Sequence, residues 1–169
     1  MKASPFGVEQ DNLFMQKALH QARRAAQLGE VPIGAVIVDV HGVVLARGYN
    51  NVEHKKLQTA HAEVTAVERA CKRQGDWRLD GCWIYVTLEP CIMCMGLIML
   101  SRCAGIVYGA PSPLFGCGLD SINLPLYRRG SLCVVSGVAA DESAELLKQF
   151  FKERRMSVIP KRSENGTKI

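Results

Sequence analysis

Three observations predict an α/β fold, a three-layer α/β/α sandwich around a mixed five-stranded sheet. Segments of helix and strand periodicity alternate along the 169 residues, the pattern of a sheet covered on both faces. The first two strands meet at a short turn containing glycine, as a hairpin does. Hydrophobic residues make up 48% of the chain, with no internal repeat or linker. That is enough for a sizeable core in one domain spanning residues 1–169.

The elements follow in order. A helix is expected over Asp11 to Leu28, where Leu13, Met15, Ala18, Leu19, Ala22 and Ala26 recur near helix period and Gly29 stops it. Ile33 to Val40 and Val43 to Tyr49 read as strands turning at His41-Gly42. A second helix opens at His61, with Ala62, Val64, Ala66, Val67 and Ala70 as its apolar period, and ends near Gln74. The strand Cys82 to Thr87 leads through Leu88-Glu89-Pro90 into a helix at Cys91. That apolar run, Cys91 to Leu100, is expected to be buried, with Met93, Met95, Ile98, Met99 and Leu100 filling the core. Strands at Gly105 to Tyr108 and Leu132 to Val138 precede a last helix, Asp141 to Arg155, and a polar tail over 156–169 that frays at its end.

Sites in such sheets collect where strands end and helices begin. His61, Cys91 and Cys94 stand at those places and offer one imidazole and two thiols. Zinc takes both donor types, and a catalytic zinc site uses three protein ligands so that the fourth tetrahedral position can hold water. With Cys91 and Cys94 opening a helix, a separation of three residues puts both sulfurs on one face. Exposed N–H groups and the dipole of the helix start favour thiolates there. Pro90 suits that entry because its missing N–H removes nothing needed. Glu63, two residues past His61, is an unligated carboxylate placed to carry a proton. A structural zinc knot, or two buried cysteines near an unrelated histidine, would use the same residues. A knot closes with four ligands, and Cys71, Cys82, Cys103, Cys117 and Cys133 are scattered singly, any one of them available as the fourth. His-x-Glu together with Pro-Cys-x-x-Cys is the signature of zinc-dependent base deamination.

With these motifs in place, residues 12–155 resemble the bacterial-type tRNA-specific adenosine deaminases of the cytidine deaminase-like superfamily. The resemblance rests on Glu30-Val31-Pro32-Ile33-Gly34-Ala35-Val36, Gly48-Tyr49-Asn50, Thr59-Ala60-His61-Ala62-Glu63, Tyr85-Val86-Thr87-Leu88-Glu89-Pro90-Cys91-Ile92-Met93-Cys94 and Phe150-Phe151-Lys152-Glu153-Arg154-Arg155, in matching order and spacing. It implies Zn2+ held by His61, Cys91 and Cys94, Glu63 as proton carrier, and conversion of adenosine to inosine at the wobble position of a tRNA anticodon stem-loop. It also implies that Asn50 hydrogen-bonds the nucleoside, and that Val31, Pro32, Ile33, Ala62 and Leu88 give walls and backbone contacts. Tyr49-Asn50-Asn51 is equally good turn chemistry, and Glu89 reads as a structural group. A homodimer is implied through the Cys91 helix and the stretch Pro111 to Arg129, whose Leu114, Phe115, Leu119, Ile122, Leu124 and Leu126 are either core or interface.

Charge and composition bound the remaining readings. A formal net charge of +5 suits a polyanionic partner and is also common without one. Phe150 and Phe151 beside Lys152, Arg154 and Arg155 combine stacking faces with phosphate-binding charge, as single-stranded loops require. The same helix could instead dock through Leu146, Leu147 and Phe150, its basic end suiting the helix dipole. Lys55-Lys56 and Arg128-Arg129 could extend the basic surface. Seven cysteines, an odd set without a dense framework, point to reduced thiols and the cytoplasm. Residues 1–7 hold no apolar signal core, and no apolar run is long enough to span a bilayer, so no membrane partner is expected. Two departures from the family concern recognition: Ser112 and Leu114 stand where an Asp and a Lys are usual, and Leu57-Gln58 replaces Asp-Pro. A deaminase of a free nucleobase or nucleoside (guanine, cytosine or adenine) and a non-catalytic zinc-containing RNA-binding module are the competing functions. The intact Glu63 argues against the second.

Overall fold

The computed structural model describes residues 3–117 and 132–158. Helix α1 (Gly7–Gln27) starts four residues before the expected Asp11. Its beginning is fastened by a buried polar knot, in which Asp11 Oδ1 accepts from Ser4 Oγ at 2.5 Å and from Tyr85 Oη at 2.6 Å. The face turned inward carries Phe14, Met15, Ala18, Leu19, Ala22 and Ala25. Leu13, expected among them, is 48% exposed, because Phe14 and Met15 occupy the sheet-facing arc.

Strands β1 (Gly34–Val38) and β2 (Val44–Tyr49) form the expected hairpin. Both are shorter than the apolar runs suggested, since the turn takes up residues 39–43. Asp39 Oδ1 accepts from the backbone of His41 and Val43, and Gly42 sits at φ +77°, a conformation glycine adopts without strain. A four-residue helix α2 (Val52–Lys55), absent from the sequence expectation, precedes α3 (Ala62–Gln74). Next come β3 (Trp83–Leu88), α4 (Ile92–Leu100), β4 (Gly105–Ala110), β5 (Cys133–Ser136) and α5 (Ala140–Val158).

The five strands lie in the order β2-β1-β3-β4-β5. β1 is antiparallel to both neighbours, while β3, β4 and β5 run parallel. The period-two alternation splits the strand side chains between two cores. Ala35, Ile37, Ile84, Val86, Ile106 and Tyr108 face one, with Ala62, Ala66, Val67 and Ala70 of α3 and Met95 and Ile98 of α4. Val36, Val38, Trp83, Tyr85 and Val107 face the other, with α1 and Leu146 of α5. Glu142 of α5 takes hydrogen bonds from Gln16 and Arg23, tying that helix to α1. The three-layer mixed sheet read from the sequence is therefore present.

Helix α4 corrects one expectation. Met95 and Ile98 are fully buried and Met93 and Met99 are half-buried, but Ile92 is 60% and Leu100 71% exposed. A run that is apolar all round gives no sign of which side meets the sheet. Leu119, Ile122, Leu124, Leu126, Arg128, Arg129 and residues 159–169 lie outside the described residues. No described helix is long and apolar enough to cross a membrane.

Candidate active site and metal centre

The antiparallel setting of β1 brings its beginning to the edge where β2 and β3 end. Val31, Pro32 and Ile33 lead into β1, Asn50 leaves β2 and Leu88 closes β3. Local hydrogen bonds hold these pieces together. Asn50 N–H donates to Ile33 O at 3.0 Å, Asn51 N–H to Ala60 O at 2.9 Å, and Gly34 N–H to Thr87 Oγ1 at 3.2 Å. Gly48 lets β2 lie against the first turn of α3, since a Cβ there would come 2.1 Å from Ala62 O. Asn50 and Ala62 are buried, as is Pro32, whereas Val31, Ile33 and Leu88 are half-buried. All six expected pocket residues thus stand at one end of the sheet.

Two helix starts converge on the same place. His61 and Cys91 are the N-cap residues of α3 and α4, each in extended backbone. Cys94 lies in the first turn of α4, the position that faces an N-cap side chain. His61 Nδ1 is 3.7 Å from Cys91 Sγ and 3.3 Å from Cys94 Sγ, and the three donor atoms lie within 4.8 Å of one another. Tetrahedral zinc, with Zn–S about 2.3 Å and Zn–N about 2.0–2.1 Å, sets nitrogen and sulfur about 3.6 Å apart. The donor set and its spacing therefore fit zinc. Among the described residues no fourth Cys, His or carboxylate joins the group, so the closed four-ligand knot is not formed there.

The electrostatics of the cluster are those of donors sharing protons. Cys91 is held down to about 3, chiefly by its hydrogen bond with the Cys94 thiol and next by His61. Cys94 moves the opposite way, raised first by that bond to Cys91 and then by burial. The bond to Cys91 also raises His61, against the lowering effect of burial. Glu63, 4% exposed in the first turn of α3, is raised by burial, with its backbone N–H and His61 opposing. The shift is toward the protonated form, the direction that suits a carboxyl group that must both take and give a proton. By contrast, burial pushes Cys82 up to about 11 and Cys103 up to about 12, which leaves those thiols inert.

Glu89 joins the loop after β4 to this centre. It is buried and accepts from Ser112 N–H at 3.1 Å, while Cys117 N–H donates to Pro90 O at 3.1 Å and Cys91 bridges Gly116. Ser112 thus contributes through its backbone, and Leu114 and Phe115 are 85% and 77% exposed. The α5 segment divides. Phe150 is buried beneath the Arg154 guanidinium, 5.5 Å from its ring centre, whereas Phe151, Lys152 and Arg155 are exposed. Glu30 was missed as a supporting group. It is 1% exposed and accepts from Asn50 Nδ2 and from the backbone of Glu53 and His54. Its one signal was a lone charge between the Gly29 helix stop and the apolar Val31-Pro32-Ile33.

Comparison with known proteins agrees with this geometry. Residues 8–110 match the family described as the cytidine and deoxycytidylate deaminase zinc-binding region. A tRNA-specific adenosine deaminase of Bacillus subtilis (strain 168) is 45% identical over 148 residues, 86% of this chain and 91% of that protein. A structure solved in studies of A-to-I editing by tRNA:A34 deaminases at the wobble position of transfer RNA matches with a TM-score of 0.74 and 42% identity, covering 80% of this chain and 99% of its own. A guanine deaminase from Nitrosomonas europaea has a TM-score of 0.73 and 25% identity, over 88% of this chain and 93% of its own.

Proposed function

The chain belongs to the family of zinc-binding cytidine and deoxycytidylate deaminases, and we propose that it hydrolyses adenosine to inosine at the wobble position of a tRNA anticodon loop. The observation that carries this reading is the meeting of His61, Cys91 and Cys94 with the buried Glu63 beside them. The 45% identity to a tRNA-specific adenosine deaminase supports the substrate.

His61, Cys91 and Cys94 would hold the metal. When bound, zinc supplies the Lewis acidity that activates water at neutral pH. Glu63 takes a proton from the attacking water, delivers it to purine N1 as C6 is attacked, and later helps protonate the departing ammonia. Burial favours that traffic, because it raises the carboxyl toward the working pH. Asn50 hydrogen-bonds the nucleoside, and Val31, Pro32, Ile33, Ala62 and Leu88 enclose it.

Phe151, Lys152 and Arg155, exposed at the end of α5, would meet the anticodon loop, with Arg154 charged above the buried Phe150. The chain acts as one domain, in the cytoplasm with its substrate. A second copy would cover the exposed Ile92 and Leu100 of α4 with Leu114 and Phe115, four large apolar residues left open to solvent.

The test is conversion of adenosine to inosine by the zinc-loaded protein, comparing an anticodon stem-loop bearing a wobble adenosine with free adenosine, adenine, cytosine and guanine. Conversion of the stem-loop alone is expected. Turnover of a free base with an inert stem-loop would replace the RNA reading by a small-molecule one. RNA binding without ammonia release from any substrate would leave a non-catalytic module.

A further inference from the structure

Glu30 is placed to govern how Asn50 meets its substrate. Its side chain is 1% exposed. Oε1 accepts from the His54 backbone at 2.7 Å, and Oε2 accepts from the Glu53 backbone at 3.1 Å and from Asn50 Nδ2 at 3.4 Å. Through these bonds one carboxylate ties the turn before β1 to the end of β2 and to the start of α2. The two backbone bonds alone would make Glu30 a cap for a four-residue helix. The third bond reaches the amide that stands at the substrate end of the sheet.

A carboxylate can only accept hydrogen bonds, whereas an amide has one accepting and one donating end. Contact with Glu30 therefore requires the amide nitrogen on its side, which settles an orientation that the amide's own shape leaves open. We propose that Glu30 is a positioning residue that fixes the Asn50 amide, leaving Oδ1 and the second N–H of that amide for the nucleoside. The inference rests on the reading of Asn50 as a substrate contact. At 3.4 Å the bond is a long one, and it acts by matching donor to acceptor. Without Glu30 the amide can turn over, so that a donor is offered where the nucleoside also has a donor.

A double-mutant cycle over wild type, Glu30→Gln, Asn50→Ala and the double variant tests the idea. It is read as kcat/KM on the anticodon stem-loop, as Kd of the zinc-loaded protein for the inosine-bearing product stem-loop, and as melting temperature. Glutamine keeps the shape but can present either end to Asn50. Glu30→Gln is expected to lower kcat/KM by about tenfold while Asn50 is present, to weaken Kd in parallel, and to change both by less than about twofold once Asn50 is alanine. Glu30→Asp keeps both acceptor oxygens and serves if Glu30→Gln does not fold; the same dependence on Asn50 is expected of it.

Equal fold losses in the two backgrounds would reduce Glu30 to a helix cap and overturn the inference, leaving Asn50 as a contact. An Asn50→Ala protein with wild-type kcat/KM and Kd would overturn both assignments. If only a free base is turned over, the tRNA reading fails separately. The cycle is then run on that base, where coupling between Glu30 and Asn50 supports the inference and additivity overturns it.

Discussion

Replacing Gly48 by alanine tests whether the metal centre depends on how closely β2 lies against α3. The added methyl would sit 2.1 Å from Ala62 O and 2.8 Å from Ala66 N, whereas ordinary contact begins near 3.4 Å. The helix start must therefore retreat by about 1.3 Å, the difference between 3.4 and 2.1 Å, or the strand must give way by that much. Both obstructing atoms are backbone, so no side chain can swing clear. Overpacking of this kind costs about 1–3 kcal/mol, and about 2 kcal/mol lowers Tm by roughly 4–8 °C in a chain of this length. His61 is the residue that precedes Ala62, so the same retreat moves a ligand. A shift of about 1 Å at a reacting centre can cost about 100-fold in rate. Gly34→Ala is the control, because its methyl would sit 2.1 Å from Ala18 O of α1, which carries no ligand. Melting, zinc affinity by competition with a chelator, and turnover are measured on both variants. Both should lose stability and turnover, and Gly48→Ala alone should also lose zinc affinity. A Gly48→Ala protein with wild-type melting and zinc affinity would refute the reasoning.

Four further outcomes are expected. Glu63→Ala should keep its zinc and lose at least about 100-fold in turnover; substantial activity in the zinc-loaded variant would sink the proton-carrier role. Zinc affinity should fall as pH drops from 8 to 6, because protons on the raised His61 and Cys94 compete with the metal, by about tenfold per pH unit for each proton displaced. Chelator competition at several pH values measures this, and a flat profile would contradict it. Lys152→Ala with Arg155→Ala should reduce the slope of log Kd against log salt for the stem-loop by about 0.7 per residue, with kcat at saturating RNA unchanged; an unaltered slope would remove α5 from the RNA surface. Leu100→Glu should yield a folded monomer in sedimentation velocity, since the side chain is already 71% exposed; a wild-type protein that is itself monomeric would end the dimer proposal.

The elements were legible in the sequence where one periodicity dominated. The α1 and α3 stripes, the short apolar runs of β1 and β3, and the His41-Gly42 turn all carry their pattern within a few residues. Helix α2 was not legible, because its first N–H groups are satisfied by Glu30, more than twenty residues earlier in the chain. Nor could the solvent side of α4 be read, since Ile92 and Leu100 are as apolar as Met95 and Ile98. At the site, residue types and spacing located the three donors, because their ligand chemistry is carried by a few residues at two expected helix starts. Glu30 was obscured for the opposite reason, and Glu89 was legible as a structural group without the partner it holds. Each gains its role from a segment distant in sequence, and a glutamate is ordinarily a solvated charge.

The arrangement of this sheet end also bears on how such proteins can diversify. The donors and Glu63 belong to the starts of two helices on one face, while most of the proposed substrate walls, residues 31–33, Asn50 and Leu88, belong to the margins of three strands. On that reading, substitutions at residues 31–33 or at Asn50 alter what is admitted while the helix starts stay as they are. Apart from Ala62, which stands between His61 and Glu63, the groups proposed for hydrolysis and those proposed for molecular choice lie on separate pieces of backbone, so one set can change without rebuilding the other.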